Sequence, residues 1–240
     1  MALQGVKKTT FDFNGDLYTM RFPGRDRYRS VHMVVKEIFV NQIYSGDRCY
    51  VSPGDVVIDG GAYVGMFSLY ALIRGARTVL SVEPVWESLD FLKTNLETFG
   101  NRIVPINNAL WSTNRPRGDR LKIRISNQLL GSCVSEPNSP RIRARFIAGV
   151  TIDQLVHDYS LDRVDFIKLD VEGSEMEALK GAVNTIERFK PSLAVSLYHK
   201  PADRKKILAF IKSLGVYGDH QEKGMEASGI LYLNGLWGVR

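Results

Sequence analysis

Cysteine is scarce in this 240-residue chain: Cys49 and Cys133 are the two present, with no CxxC pair and no spacing that reads as a disulfide framework. That excludes a disulfide-stapled secreted scaffold and fits a reducing, cytoplasmic setting with both thiols free. Long apolar runs are missing as well. No window approaches the roughly 18 uncharged apolar residues of a membrane helix. The first eight residues, Met1-Ala2-Leu3-Gln4-Gly5-Val6-Lys7-Lys8, lack the apolar stretch of a signal peptide. Neither internal repeats nor low-complexity segments occur. The remainder is the composition of an ordinary globular protein, long enough for one domain with a full core.

The net charge of +6 is concentrated in one place. Between Ser112 and Phe146 lie eight basic residues (Arg115, Arg117, Arg120, Lys122, Arg124, Arg141, Arg143 and Arg145) and two acidic ones, Asp119 and Glu136, so the rest of the chain is balanced at 24 of each sign. Such a segment reads either as solvated arginines on an exposed hairpin or as a surface for nucleic acid or an acidic substrate.

Residues 1–50 read as an accessory region. Phe11-Asp12-Phe13-Asn14-Gly15-Asp16-Leu17-Tyr18-Thr19-Met20 alternates around Asn-Gly, which predicts a hairpin. Residues 34–44 then predict an amphipathic helix with Val35, Ile38, Phe39, Gln42 and Ile43 on one side, facing the chain's own core or a second subunit in a homodimer. Residues 51–240 alternate strand and helix, which predicts an α/β fold with a mostly parallel sheet and right-handed crossovers. Strands are expected at 56–58, 78–82, 103–106, 164–169, 193–197 and 230–233. Helices are expected at 66–74, 86–99, 174–189 and 202–214, with a short one at 151–156 behind Thr151 as N-cap. The basic segment, about 112–147, interrupts this alternation with two strand-like stretches, 122–125 and 141–147, around a Gly/Ser/Asn/Pro-rich middle.

Three strand ends carry chemistry. In Asp55-Val56-Val57-Ile58-Asp59-Gly60-Gly61-Ala62-Tyr63-Val64-Gly65 an apolar run ends in a carboxylate and turns through glycine into a helix. Asp59, Gly61 and Gly65 give a tight turn with the backbone close to a ligand. Some twenty residues later Leu80-Ser81-Val82-Glu83-Pro84 ends a second run in an acid, about where a group bonding both ribose hydroxyls is expected. Gly60 and Gly65 fill the first and sixth places of a dinucleotide fingerprint, but Ala62 stands at the third, where its methyl would crowd a pyrophosphate that Asp59 would also repel. A hydroxylated, positively charged ligand such as S-adenosylmethionine suits the pair of acids better than NAD does.

The third strand end is Ile167-Lys168-Leu169-Asp170-Val171-Glu172-Gly173-Ser174, where Asp170 and Glu172 share one face of an extended backbone. Of the four histidines, His199 in Ser196-Leu197-Tyr198-His199-Lys200-Pro201 follows a core strand at the ligand-binding edge, facing those two acids. Asp170, Glu172 and His199 can supply a general base or hold a divalent cation, and the residues leave both open.

Taken in order and spacing, Asp-Gly-Gly-Ala-Tyr-Val-Gly, Val-Glu-Pro, Asn-Asn-Ala-Leu, Thr-Ile-Asp and Phe-Ile-Lys-Leu-Asp-Val-Glu-Gly-Ser-Glu resemble the FkbM family of S-adenosylmethionine-dependent methyltransferases. The resemblance covers about residues 51–214 and is most specific at Lys168-Leu169-Asp170-Val171-Glu172-Gly173. It implies a Rossmann-like, seven-stranded class I methyltransferase fold and O-methylation of a sugar or other small-molecule, natural-product hydroxyl. Carried over by position, it implies cofactor contacts at Asp59, Gly60, Gly61, Ala62, Gly65 and Glu83, with Asn108 and Ala109 beside the adenine. Asp170, Glu172 and His199 fall on the acceptor side as catalytic base or metal ligands. Tyr63 departs from the family's frequent Asn, and neither the basic insert nor residues 218–240 have a counterpart. The alternatives are an RNA methyltransferase using the insert, an NAD-dependent oxidoreductase, and a catalytically silent binding module.

Overall fold

A computed structural model describes residues 5–113, 121–125, 132–134, 144–223 and 229–235. Strands β1 (Val6–Phe13) and β2 (Asp16–Pro23) form the expected hairpin, in register from Val6 against Pro23 to Phe13 against Asp16. Its two-residue turn places Asn14 at φ 58° and Gly15 at φ 88°, the left-handed conformations that Asn-Gly adopts at low cost. Helix α1 (Tyr28–Val35) follows and continues as a π-helical turn over Lys36–Val40. This corrects the expected helix at 34–44, which begins earlier and stops sooner. Gln42 is exposed at φ 47°, so it cannot extend the apolar face. Val35, Ile38 and Phe39 are buried, with the Phe39 ring packed against Phe11, Phe13 and Tyr70. The apolar side of this helix is thus covered by the chain's own core.

The central sheet is built from β3 (Val56–Gly60), β4 (Thr78–Val82), β5 (Ile103–Ile106) and four later strands, separated by α2 (Met66–Ile73) and α3 (Trp86–Leu96). Two short strands, β6 (Ala109–Leu110) and β10 (Gly149–Val150), pair in parallel outside it, bracketing the insert. Within the insert β7 (Leu121–Arg124) pairs antiparallel with β8 (Cys133–Val134) and β9 (Ala144–Ile147). Leu121, Ile123 and Ile125 are buried, so one face of this small sheet packs inward. Arg145 forms a two-pronged ion pair with Glu87, and its guanidinium lies 5.8 Å from the Trp86 ring centre. Arg115, Arg117, Arg120, Arg141 and Arg143 fall outside the described residues.

Next come α4 (Ile152–Asp158), β11 (Phe166–Leu169), α5 (Glu175–Lys180), α6 (Val183–Phe189), β12 (Ser192–Ser196), α7 (Arg204–Ser213), β13 (Tyr217–Lys223) and β14 (Ile230–Gly235). Thr151 caps α4 as expected, accepting the Gln154 N–H at 2.9 Å. The helix expected at 174–189 is two helices. The break falls at Gly181, where the backbone packs on Trp111 so closely that a Cβ would stand 2.2 Å from the Trp111 carbonyl oxygen.

Among the described residues the sheet has seven strands in the order β13-β14-β12-β11-β3-β4-β5. The five from β12 to β5 run parallel; β14 is antiparallel to β12, and β13 is antiparallel to β14, so β13 runs in the direction of the five. Each face is apolar. Val57, Val79, Phe166 and Ala194 point to one side, into a core shared with α2, α3 and the N-terminal hairpin. Ile58, Leu80, Ile167, Leu193 and Val195 point to the other, against α4 to α7. Burial on both faces explains the unbroken apolar runs read from the sequence. Register aligns the functional ends: Gly60 lies opposite Val82 and Leu169, and Val82 opposite Ile106.

Candidate functional site

At the carboxyl ends of β3, β4, β11 and β12 a cavity of about 590 Å³ opens, where ligands of open α/β sheets bind. Gly61, Ala62, Glu83, Asn108, Ala109, Asp170, Glu172 and His199 all line it. Asp59, Gly60 and Gly65 do not. Asp59 is fully buried; its Oδ1 accepts from Lys168 Nζ at 3.0 Å and its Oδ2 from Ser68 Oγ at 2.7 Å. It therefore sits behind the wall, fixing Lys168, whose Nζ also donates to the Gly60 and Gly61 carbonyls at 3.1 and 2.8 Å. Gly65, at φ 92°, packs on Leu92 and Leu96. Gly61 is needed for close approach: at φ 74°, an added Cβ would stand 1.9 Å from the Asp170 carbonyl oxygen.

Glu83 is buried at the cavity's edge. Its Oε2 accepts the Tyr63 N–H and its Oε1 the Val85 N–H, each at 2.8 Å. Burial pushes its carboxyl up to about 7, against the two N–H bonds and the Lys168 charge, which favour the ionised form. Each oxygen keeps capacity to accept from a ligand hydroxyl. Asn108 Nδ2 and the Ala109 N–H both donate to the Ala148 carbonyl, which ties β6 to the end of the insert.

At the other end of the cavity the acids and the histidine meet. Asp170 Oδ2 accepts from Tyr44 OH at 2.7 Å and Oδ1 from Tyr198 OH at 3.0 Å. Burial raises its pKa, but Lys168, His199 and the two phenols outweigh that and hold the carboxyl below its ordinary value. His199 Nδ1 lies 2.7 Å from Glu175 Oε1, while Nε2 is 3.5 Å from Asp170 Oδ1 and 3.4 Å from Glu172 Oε2. Burial disfavours the charged ring, yet Glu175, Asp170 and Glu172 together keep its pKa above the usual imidazole value. Glu172, at φ 54°, is held in a left-handed conformation by the turn before α5. Burial raises its carboxyl, partly offset by His199.

Several of these groups were not picked out from the sequence. Glu175 stands in the family motif, but its part in the turn is visible only here: Oε1 also accepts the Val171 and Gly173 N–H groups at 3.2 and 3.1 Å. Lys168 had a signal, a charge inside a strand buried on both faces. Tyr44 had none, since it reaches Asp170 across 126 residues of sequence. With Met33, Val34, Glu37, Ile38 and Asn41 it makes the N-terminal region one wall of the cavity.

Ligand atoms of Asp170, Glu175 and His199 lie within 4.8 Å of one another, with Glu175 in the place expected of Glu172. Those atoms are already committed: Glu175 Oε1 takes two N–H groups and the imidazole, and both Asp170 oxygens take phenols. The set suits a hydrogen-bonded proton relay better than a cation.

A doubly wound, mostly parallel sheet with a glycine turn and a facing acid at its carboxyl edge defines the class I methyltransferase fold. Within that class the chain belongs to the FkbM family, residues 59–217 matching the model described as methyltransferase FkbM domain. That family is described as a methyltransferase domain. A crystal structure of methyltransferase FkbM from Methylobacillus flagellatus superposes with a TM-score of 0.56 at 26% identity, covering 77% of this chain and 44% of that one. The AMB antimetabolite synthetase AmbE of Pseudomonas aeruginosa is 30% identical over 181 residues, 62% of this chain but 8% of that protein. Methyltransferase sdnD of Sordaria araneosa is 24% identical over 218 residues, 76% of this chain and 80% of that protein. The chain thus spans less than half the length of the FkbM structure and a small part of the synthetase. Among the described residues no helix is long and apolar enough to cross a membrane.

Proposed function

We propose that this domain methylates a hydroxyl of a sugar or other small-molecule acceptor, with His199 as general base and Glu83 as the acid that holds the donor's ribose. The observation that carries the reading is the pairing of His199 Nδ1 with buried Glu175 at 2.7 Å, which leaves Nε2 on the cavity side. A carboxylate on Nδ1 fixes the ring's tautomer and orientation and stabilises the imidazolium that forms.

When bound, S-adenosylmethionine supplies a sulfonium-activated methyl group, whose C–S bond breaks as the new O–C bond forms. The chain's part is to align and to move one proton. Glu83, braced by the Tyr63 and Val85 N–H groups, accepts from the ribose hydroxyls, and Gly61, lacking a Cβ, lets the turn pack against the Asp170 backbone that faces the site. Asn108 and Ala109 border the adenine, as the family resemblance implies. His199 Nε2 takes the proton of the acceptor hydroxyl, and Asp170, fixed by two phenols and kept ionised 3.5 Å from Nε2, stabilises the imidazolium that forms. Holding the reactants in line supplies the larger share of the rate, and the base about 10²–10⁴-fold.

A small acceptor is favoured over RNA by the cavity itself. Its acceptor end is walled by apolar Met33, Val34 and Ile38 and carries Glu37, Asp170 and Glu172, a charge that repels phosphates. Arg145 of the basic insert is engaged by Glu87. Incubation of a metabolite extract with the protein and isotopically labelled methyl donor, read by mass spectrometry, tests the proposal. A labelled methyl ether formed by the wild type and not by His199→Ala is expected; label on RNA alone contradicts it.

A further inference from the structure

We propose that Tyr63 is a positioning residue for the methyl donor: its phenol, anchored on Asp26 of the N-terminal turn, holds the backbone that presents the Tyr63 N–H to Glu83. The inference rests on the reading of Glu83 as the ribose-binding acid.

Tyr63 sits in the loop between β3 and α2 at φ 50°, a conformation that L side chains adopt reluctantly and that persists where the surroundings impose it. That conformation aims its N–H at Glu83 Oε2, 2.8 Å away. The contacts of the side chain impose it. The ring is buried, and its hydroxyl donates to Asp26 Oδ2 in a short hydrogen bond. Asp26 is itself fully buried, its N–H on the Pro23 carbonyl at 2.9 Å and its own carbonyl accepting Lys7 Nζ at 3.1 Å. The next residue of the loop is tied to the same hairpin. Asn95 Nδ2 donates to the Val64 carbonyl at 3.0 Å and to the Arg21 carbonyl at 2.9 Å, while the Arg21 N–H donates to Asn95 Oδ1 at 2.8 Å. Two consecutive loop residues are therefore stitched to the N-terminal hairpin, which becomes part of the donor site without touching the donor.

The phenol remains a donor at any working pH, since burial and the adjacent Asp26 carboxylate push it far above its usual range. The charged groups that act on Glu83 are Lys168 from β11 and Asp59 from β3, both outside this tie. Loosening Tyr63 therefore changes one thing at Glu83: it weakens a hydrogen bond that favours the ionised carboxylate. Donor binding then falls, and its pH midpoint moves upward.

The experiment is isothermal titration of the full-length wild type, Tyr63→Phe and Asp26→Asn with S-adenosylhomocysteine from pH 6 to 9, with thermal melts alongside. Both variants are expected to bind about 5- to 30-fold more weakly at pH 7.5, with the midpoint of the pH dependence shifted alkaline of the wild type's. Should Tyr63→Phe fail to fold, Asp26→Asn, which keeps the size of the group, carries the test. Wild-type affinity and midpoint in the folded variants overturn the inference, as does weaker binding with an unmoved midpoint, which a merely structural role would give. If the wild type does not bind S-adenosylhomocysteine, the ribose reading of Glu83 falls first, and this inference with it.

Discussion

Glu83 faces two opposed demands, and they set a pH dependence. Its carboxyl is raised to about 7 in the free protein, chiefly by burial. A carboxyl whose folded value lies above its unfolded one stabilises the fold at pH below about 4.5, and that contribution is lost as pH rises towards 7. Ligand hydroxyls need the ionised form. Affinity for S-adenosylhomocysteine should therefore climb with pH up to about 7 and then level off, while the melting temperature of the free protein loses ground over the same interval; calorimetry at a series of pH values checks both. His199 sets the second dependence. As the proposed base it must be neutral to take a proton, and its pKa lies above the ordinary imidazole value, so kcat should rise with pH along a limb centred above about 6.5. Replacing Glu175 by Gln removes the charge on Nδ1 and should move that limb to lower pH while reducing kcat. His199→Ala should cost about 10²–10⁴-fold in kcat. Steady-state profiles across pH 5.5–9 would show these changes, and an unmoved limb in the Glu175 variant would remove His199 from the base's role.

At the scale of elements, the strand ends were legible because their signals are local. An apolar run, an acid and a glycine turn lie within a dozen residues of one another, and the sheet's register brings them to one edge. The segments that depend on distant partners were not. The helix expected at 174–189 breaks at Gly181, where the backbone packs against Trp111, seventy residues upstream, and no periodicity within the helix carries that contact. The strand β13 is antiparallel and polar, Tyr-Gly-Asp-His-Gln-Glu-Lys, so neither alternation nor an apolar run marks it. Helix α1 and its π-helical turn owe their place to packing. Phe39→Ala should destabilise the protein by about 3–5 kcal/mol in urea unfolding, since its ring joins the hairpin to α2. Because the same helix and the turn that follows it bring Met33, Glu37 and Tyr44 to the cavity, acceptor turnover should fall further than donor affinity in that variant.

For the molecule as a whole, the division at residue 50 read from the sequence describes the chain's order but not the site's construction. The wall facing the sheet edge comes from residues 33–44, and the loop after β3 is braced by Asp26, just past the hairpin, and by Asn95 of α3, which also bonds Arg21 of the hairpin. Separate stretches of sequence thus meet around one cavity, with Glu83 at one end and His199 at the other. Titration of S-adenosylhomocysteine into wild type, Glu83→Ala and His199→Ala at pH 8 tests that arrangement most directly. Loss of two hydrogen bonds to a charged acceptor should weaken Glu83→Ala by about 10²- to 10⁴-fold, while His199→Ala binds within a few-fold of the wild type. Equal affinities for Glu83→Ala and the wild type, or a loss at His199 as large as that at Glu83, would contradict the account.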